Sequence, residues 1–204
     1  MTFTGLTTQM CADVFEIMFS AQQTAFELNI VNKLAGTIVI LDPYAMPSSN
    51  DPRKVDFDEV RRAALFICRV GQDRNDDEEY EAAAKEYDDM ALIKARDMWV
   101  LRPFGITSGR DIQQNFSHLY QSGMIKWGGG TCRDGIVIGF SGVQENFDEA
   151  IAGTFNEWLI ALCREEVTKK GGVMDGDSSF IQPPDGDLHA RLMGRAAIQR
   201  HLGP

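Results

Sequence analysis

The chain has 204 residues, 44% of them hydrophobic and 25% charged, with a formal net charge of -10. That length supports one domain with a proper core. The acidic balance excludes a phosphate-tracking nucleic-acid binder and argues against docking on an anionic membrane surface.

No apolar run approaches the roughly 18 residues that a membrane span needs. The N-terminal stretch MTFTGLTTQMCADVF has no basic n-region and carries Asp13 early, unlike a secretory signal. The expected location is therefore cytoplasmic. Cys11, Cys68, Cys132 and Cys163 form no Cys-x-x-Cys pair, and they read as reduced, mostly buried thiols.

In chain order, residues 7–29 predict an amphipathic helix. Met10, Val14, Ile17, Met18, Ala21, Ala25 and Leu28 recur at helical spacing, and Thr7 or Thr8 can cap it. GTIVILDP, from Gly36 to Pro43, is a β-branched run stopped by Asp-Pro and predicts a buried strand. A Pro/Ser/Asn loop follows over 43–54. Residues 55–72 fit either a helix from Asp56 or a turn leading to a strand. The aromatic and β-branched LFICRV before Gly71 favours the strand Ala64–Val70. The acidic stretch Asp73 to Glu81 reads as a solvated loop running into a helix N-terminus, and it lacks the glycine and spacing of a calcium loop. No metal site is expected.

Residues 79–101 predict a second long helix, with Ala84, Tyr87, Ala91, Ala95 and Met98 as its apolar stripe and Lys94 at the stripe's edge. Its amine could be partly desolvated and reactive there, although a snorkelling stem is the simpler reading. Ser108 precedes Asp111 by three in a capping pattern, ahead of a short helix over 111–121. Met124–Thr131 and Gly135–Ser141 predict a hairpin around Arg133-Asp134-Gly135. Asn146, with Glu149 three residues on, reads as the cap of a final long helix. Phe147, Ile151, Phe155, Trp158, Leu159 and Leu162 are expected to face inward there. Composition changes after residue 168. A domain over 1–168 is expected, followed by an extended, partner-packing tail over 169–204. Helices gathered about one mostly antiparallel sheet make an α+β fold.

The segment Gly128 to Ala152, GGGTCRDGIVIGFSGVQENFDEAIA, concentrates the candidate chemistry. Glycines there permit close backbone approach, and a helix N-terminus follows a Ser-Gly corner. Backbone N–H groups of Ser141 to Glu145 could face a small anionic or planar ligand, with Lys94, Arg96 or Arg133 supplying charge. The triple glycine lacks the Lys-Ser/Thr of a phosphate-binding loop. No nucleophile elbow, zinc-protease motif or dinucleotide fingerprint occurs, so catalytic residues stay unassigned. Cys132 beside Arg133 could have a lowered pKa, although a buried inert thiol is the simpler reading.

These landmarks resemble the haem-binding GlcG/HbpS-like family, small proteins of profilin-like α+β fold. The resemblance covers about residues 5–166. It rests on Ile40-Leu41-Asp42, Lys94-Ala95, Gly129-Gly130, Asp134-Gly135, Gly139, Ser141-Gly142 and Asp148-Glu149-Ala150. The family's Pro is replaced at or beside Cys132, and the strand from Asp-Gly to Ser-Gly is about two residues short, an even change that keeps its faces in place. The resemblance implies a small organic ligand, haem among the candidates, bound near Lys94, Arg133, Ser141, Gly142, Glu145 and Asp148. An axial ligand would be needed, and His118 is the candidate. An enzyme acting on a small carboxylate or aromatic metabolite and a non-catalytic homo-oligomeric assembly protein remain open beside this binding reading.

Overall fold

The computed structural model describes residues 6–70, 78–119, 124, 128–169, 173–174 and 181–182. The chain divides into two units, Met1–Ile160 and Ala161–Pro204. The second contains a two-stranded antiparallel ribbon, β5 (Val173–Met174) with β6 (Ile181–Gln182). Most of the tail expected over 169–204, the two histidines in it, and the acidic stretch as far as residue 77 lie outside the described residues.

The first unit is built on a four-stranded, wholly antiparallel sheet. Its strands are β1 (Gly36–Leu41), β2 (Ala64–Val70), β3 (Gly130–Arg133) and β4 (Ile136–Ser141), in the spatial order β2-β1-β4-β3. Helices α1 (Thr8–Glu27), α2 (Phe57–Ala63), α3 (Glu78–Leu101), α4 (Gly109–Asn115) and the first part of α5 (Glu145–Lys169) surround it. This is the α+β class that the sequence predicts. Residues 55–72 satisfy both of their readings in succession. Asp56 caps α2 by accepting from Glu59 N at 2.7 Å, and LFICRV then extends as β2.

The two central strands are buried along their whole length, because helices cover both faces of the sheet. On one face Val39, Leu41, Val137 and Cys132 pack with Ala91, Leu92, Ala95, Met98 and Trp99 of α3. Gly139 permits the close approach there: a Cβ on it would lie 2.2 Å from Ala91 O and 2.7 Å from Ala95 N. The other face carries Ile38, Ile40, Ile136, Ile138 and Phe140, all buried. Phe15 of α1 meets Phe66 of β2 on this side. Asn156 of α5 donates to Thr131 Oγ1 at 3.0 Å and to Ile136 O at 3.1 Å.

The β3–β4 turn confirms the Arg-Asp-Gly reading. Asp134 and Gly135 both take positive φ, 49° and 85°, as the tight turn that matches strand twist requires. Thr7 caps α1 as expected, accepting from Met10 N at 3.2 Å. The buried face of α1 is rotated from the predicted stripe, however. Cys11, Val14 and Gln22 are buried, whereas Ala21, Ile17 and Leu28 face solvent. Gln22 turns inward because its amide reaches Ala35 O at the start of β1. Trp158 likewise does not face inward: it is 45% exposed, and Asn156 takes the inward position.

Candidate functional site

Helix α3 carries Tyr87, Met90 and Lys94 at three- and four-residue spacing, so they share one face. That face points past the end of β4 toward the Ser141–Gln144 corner and the first turn of α5. There the Lys94 ammonium donates to Phe140 O at 3.0 Å and to Asp148 Oδ2 at 2.8 Å. The two side chains are only 2% and 7% exposed. Lys94 is therefore not a snorkelling residue at the edge of a stripe. Its amine is the buried end of an ion pair that joins α3, β4 and α5.

Gly129 makes room for this pair. Its φ is +114°, and a Cβ there would lie 2.4 Å from Phe140 O and 2.8 Å from Lys94 Nζ. Asp148 also reaches backwards, its Oδ1 accepting from Val143 N at 3.0 Å. The expected cap at Asn146 is corrected by this geometry. Helix α5 begins at Glu145, two positions ahead of the start that an Asn146 cap would set, and Gln144 O receives both Phe147 N and Asp148 N. Asn146 instead accepts from the Arg110 guanidinium. The glycine run is pinned to the same turn, with Gly128 N donating to Glu145 Oε1 at 3.2 Å.

A cavity of about 450 Å³ lies over the ion pair. Its wall brings together Lys94, Ser141, Gly142, Glu145 and Asp148 from the sequence-predicted set, with Lys33, Glu86, Tyr87 and Met90 added. Tyr87 and Met90 supply apolar wall. Lys33 Nζ donates to Tyr87 Oη at 3.2 Å and lies 5.7 Å from the ring centroid. The size falls within the range of small-molecule sites. Two basic and three acidic side chains line it, so the wall as a whole is not the anion cradle that the helix start alone suggests.

Burial pushes the Lys94 amine below its ordinary value of 10.5, while Asp148, Glu145 and Glu149 pull the other way without cancelling the loss of hydration. Cys132 moves opposite to the expectation from its Arg133 neighbour. Burial pushes its thiol up, and Arg102 offsets this only in part, so Cys132 is the inert thiol. None of the four cysteines forms a disulfide.

The remaining candidates lie elsewhere. Arg133 pairs with Glu157 and lines a separate open groove of about 460 Å³ with Arg110, Glu149 and Trp158. Arg96 is buried against Asp97 and the Phe57 ring. His118 is exposed in a short 3-10 turn, beside Phe116, and lines neither cavity. Among the described residues no cluster of three or more His, Cys, Asp or Glu could hold a metal, and no helix is long and apolar enough to cross a membrane. Tyr87 and Met90 carried a readable signal, their helical spacing to Lys94. Lys33 carried none, because only tertiary folding brings it to the wall.

No family model, curated protein or solved structure matches the chain.

Proposed function

We propose that this chain binds a small, uncharged or planar organic molecule in the cavity over the Lys94–Asp148 pair. The observation that carries the reading is a buried ion pair in the wall of a cavity of ligand size. Burying two charges is costly, and a hydrophobic pair of similar volume is often as stable or more so. A charged pair in a cavity wall also presents fixed polar groups to whatever enters, and Tyr87 and Met90 provide an apolar surface beside them.

Haem is the ligand implied by the GlcG/HbpS-like resemblance, and the residues present do not fit it in that form. The candidate axial ligand His118 lies outside both cavities. Among the described residues the wall offers Tyr87 and Met90 of the usual axial donor types, and Tyr87 Oη already accepts from Lys33. Titration of the purified chain with a panel of aromatic and aliphatic small molecules, haemin included, tests the reading by calorimetry. The expected result is saturable binding near one molecule per chain that Tyr87→Ala weakens. Saturable binding that Tyr87→Ala leaves intact, or no binding across the panel, would overturn it.

Self-association is a second, compatible reading. Ile17, Leu28 and Ile30 are 45%, 64% and 54% exposed on and just after α1. Light scattering at micromolar concentration should then show more than one chain per particle, and a monomer removes the reading.

A further inference from the structure

We propose that Lys94 forms a Schiff base with a small aldehyde or ketone that enters this cavity, with Asp148 as the fixed counter-ion. The inference rests on the cavity being a ligand site. An ammonium has three N–H donors. Lys94 donates two of them, to Phe140 O and Asp148 Oδ2, and among the described residues no third acceptor takes the last. The side chain is 2% exposed, yet it lines the cavity. A carbonyl compound in the cavity would therefore meet an amine whose position is fixed and whose hydration has already been removed. Loss of hydration also favours the neutral, nucleophilic amine, the condition under which buried lysines become Schiff-base formers. Lys33, the other amine on the wall, is exposed and lacks that environment.

The wall also selects among carbonyl compounds. With three acidic and two basic side chains it gives no net attraction to a carboxylate. Tyr87 and Met90 favour an apolar or aromatic substituent. The class is thus an uncharged aldehyde or ketone.

The step balances without an added reagent. Lys94 first passes a proton to the Asp148 carboxylate, 2.8 Å away. The nitrogen lone pair then forms a bond to the carbonyl carbon as the carbonyl π pair moves to oxygen, giving a carbinolamine. The oxygen takes one proton from the nitrogen and a second from the Asp148 carboxyl, and leaves as water while nitrogen forms its second bond to carbon. Ammonium plus carbonyl becomes protonated imine plus water. The nitrogen carries one positive charge before and after, so the pairing with Asp148 persists in the product.

The test treats the chain with benzaldehyde, and separately with cyclohexanone, in the presence of sodium cyanoborohydride. This reductant converts an imine to a stable secondary amine that peptide mass spectrometry can locate. The expected result is one adduct per chain at Lys94, formed about tenfold or more faster than at exposed lysines such as Lys33 and Lys85. Lys94→Arg, which keeps the charge beside Asp148, should abolish that adduct. Adducts scattered over surface lysines with Lys94 unmodified would overturn the proposal. If the carbonyl compound saturably perturbs the Ser141–Glu145 backbone while Lys94 stays unmodified, the Schiff base fails and the binding site stands. If neither signal occurs, the Schiff base fails, and the binding site stands or falls by the wider panel.

Discussion

Asp148 holds Lys94 with one carboxylate oxygen, at 2.8 Å, and the Val143 backbone N–H with the other, at 3.0 Å. One side chain thus fixes the corner that leads into α5 and neutralises the buried amine of α3. Removing either charge leaves the other buried without a partner. Asp148→Ala and Lys94→Met should each cost about 3–5 kcal/mol in urea denaturation. The double variant Lys94→Met/Asp148→Leu should recover most of that loss, short of about 1 kcal/mol for the hydrogen bond from Val143. Additive losses in the double variant would show that the two residues act independently.

Gly139 and Gly105 give a matched test of close packing. A Cβ at Gly139 meets the α3 backbone at 2.2 Å, whereas a Cβ at Gly105 meets nothing within 4 Å and only its φ of +76° resists substitution. Gly139→Ala should cost about 3 kcal/mol or more, because a helix must shift. Gly105→Ala should cost about 1–2 kcal/mol, the penalty for a side chain in the left-handed region. Equal thermal shifts for the two variants would contradict the placement of α3 against β4.

Asp88 governs part of the acid limb of stability. Burial alone would raise its pKa. Hydrogen bonds from Arg69 Nε at 3.1 Å and Thr37 Oγ1 at 2.6 Å outweigh that and hold it below the ordinary 3.8. A carboxyl depressed in the folded state stabilises the fold above its unfolded pKa and loses that contribution as pH falls through the folded value. Stability should therefore drop as pH goes below about 4. Asp88→Asn should be less stable at neutral pH and show a shallower acid limb, which denaturation midpoints across acidic buffers would reveal.

Lys94 acts at the other end of the pH range and with the opposite group chemistry. Its folded pKa lies below the unfolded value of 10.5, so the unfolded chain binds the proton more tightly. Stability then rises with pH across the window between the lowered folded pKa and 10.5. The charges that face the amine are Asp148, Glu145 and Glu149, and all three favour its protonated form. Wild-type protein should gain stability relative to the Lys94→Met/Asp148→Leu variant as pH climbs through this window. A parallel pair of curves would refute the burial of the amine.

Much of the fold was legible in the sequence because it is set locally. The runs GTIVIL and IVIGFS announce strands, Thr7 marks a helix start, and Asp134-Gly135 specifies a turn that needs two positive φ values. What failed depends on contacts between distant elements. The rotation of α1 is set by Gln22 reaching Ala35, which no helical periodicity records. Asn146 has the spacing of a cap, yet Arg110 claims its side chain, and Asp148 reaches back to the Val143 N–H ahead of the helix. Lys94 looked peripheral because its partner is 54 residues away. Lys94 and Arg133 both read as charges for one pocket, and the fold sends them to separate cavities because strand alternation turns Cys132 toward α3 and Arg133 to the opposite face, where it pairs with Glu157 of α5.

The central claim is that the cavity over the Lys94–Asp148 pair receives a small organic molecule. Backbone amide NMR during titration with the panel, benzaldehyde and haemin included, tests it most directly. The account predicts saturable shifts at Gly142, Val143, Gln144 and Tyr87, unchanged by Arg133→Ala, since Arg133 lines the other groove. Shifts confined to Arg110, Glu149 and Trp158, or no saturable shift at the Ser141–Glu145 corner with any compound, would contradict it.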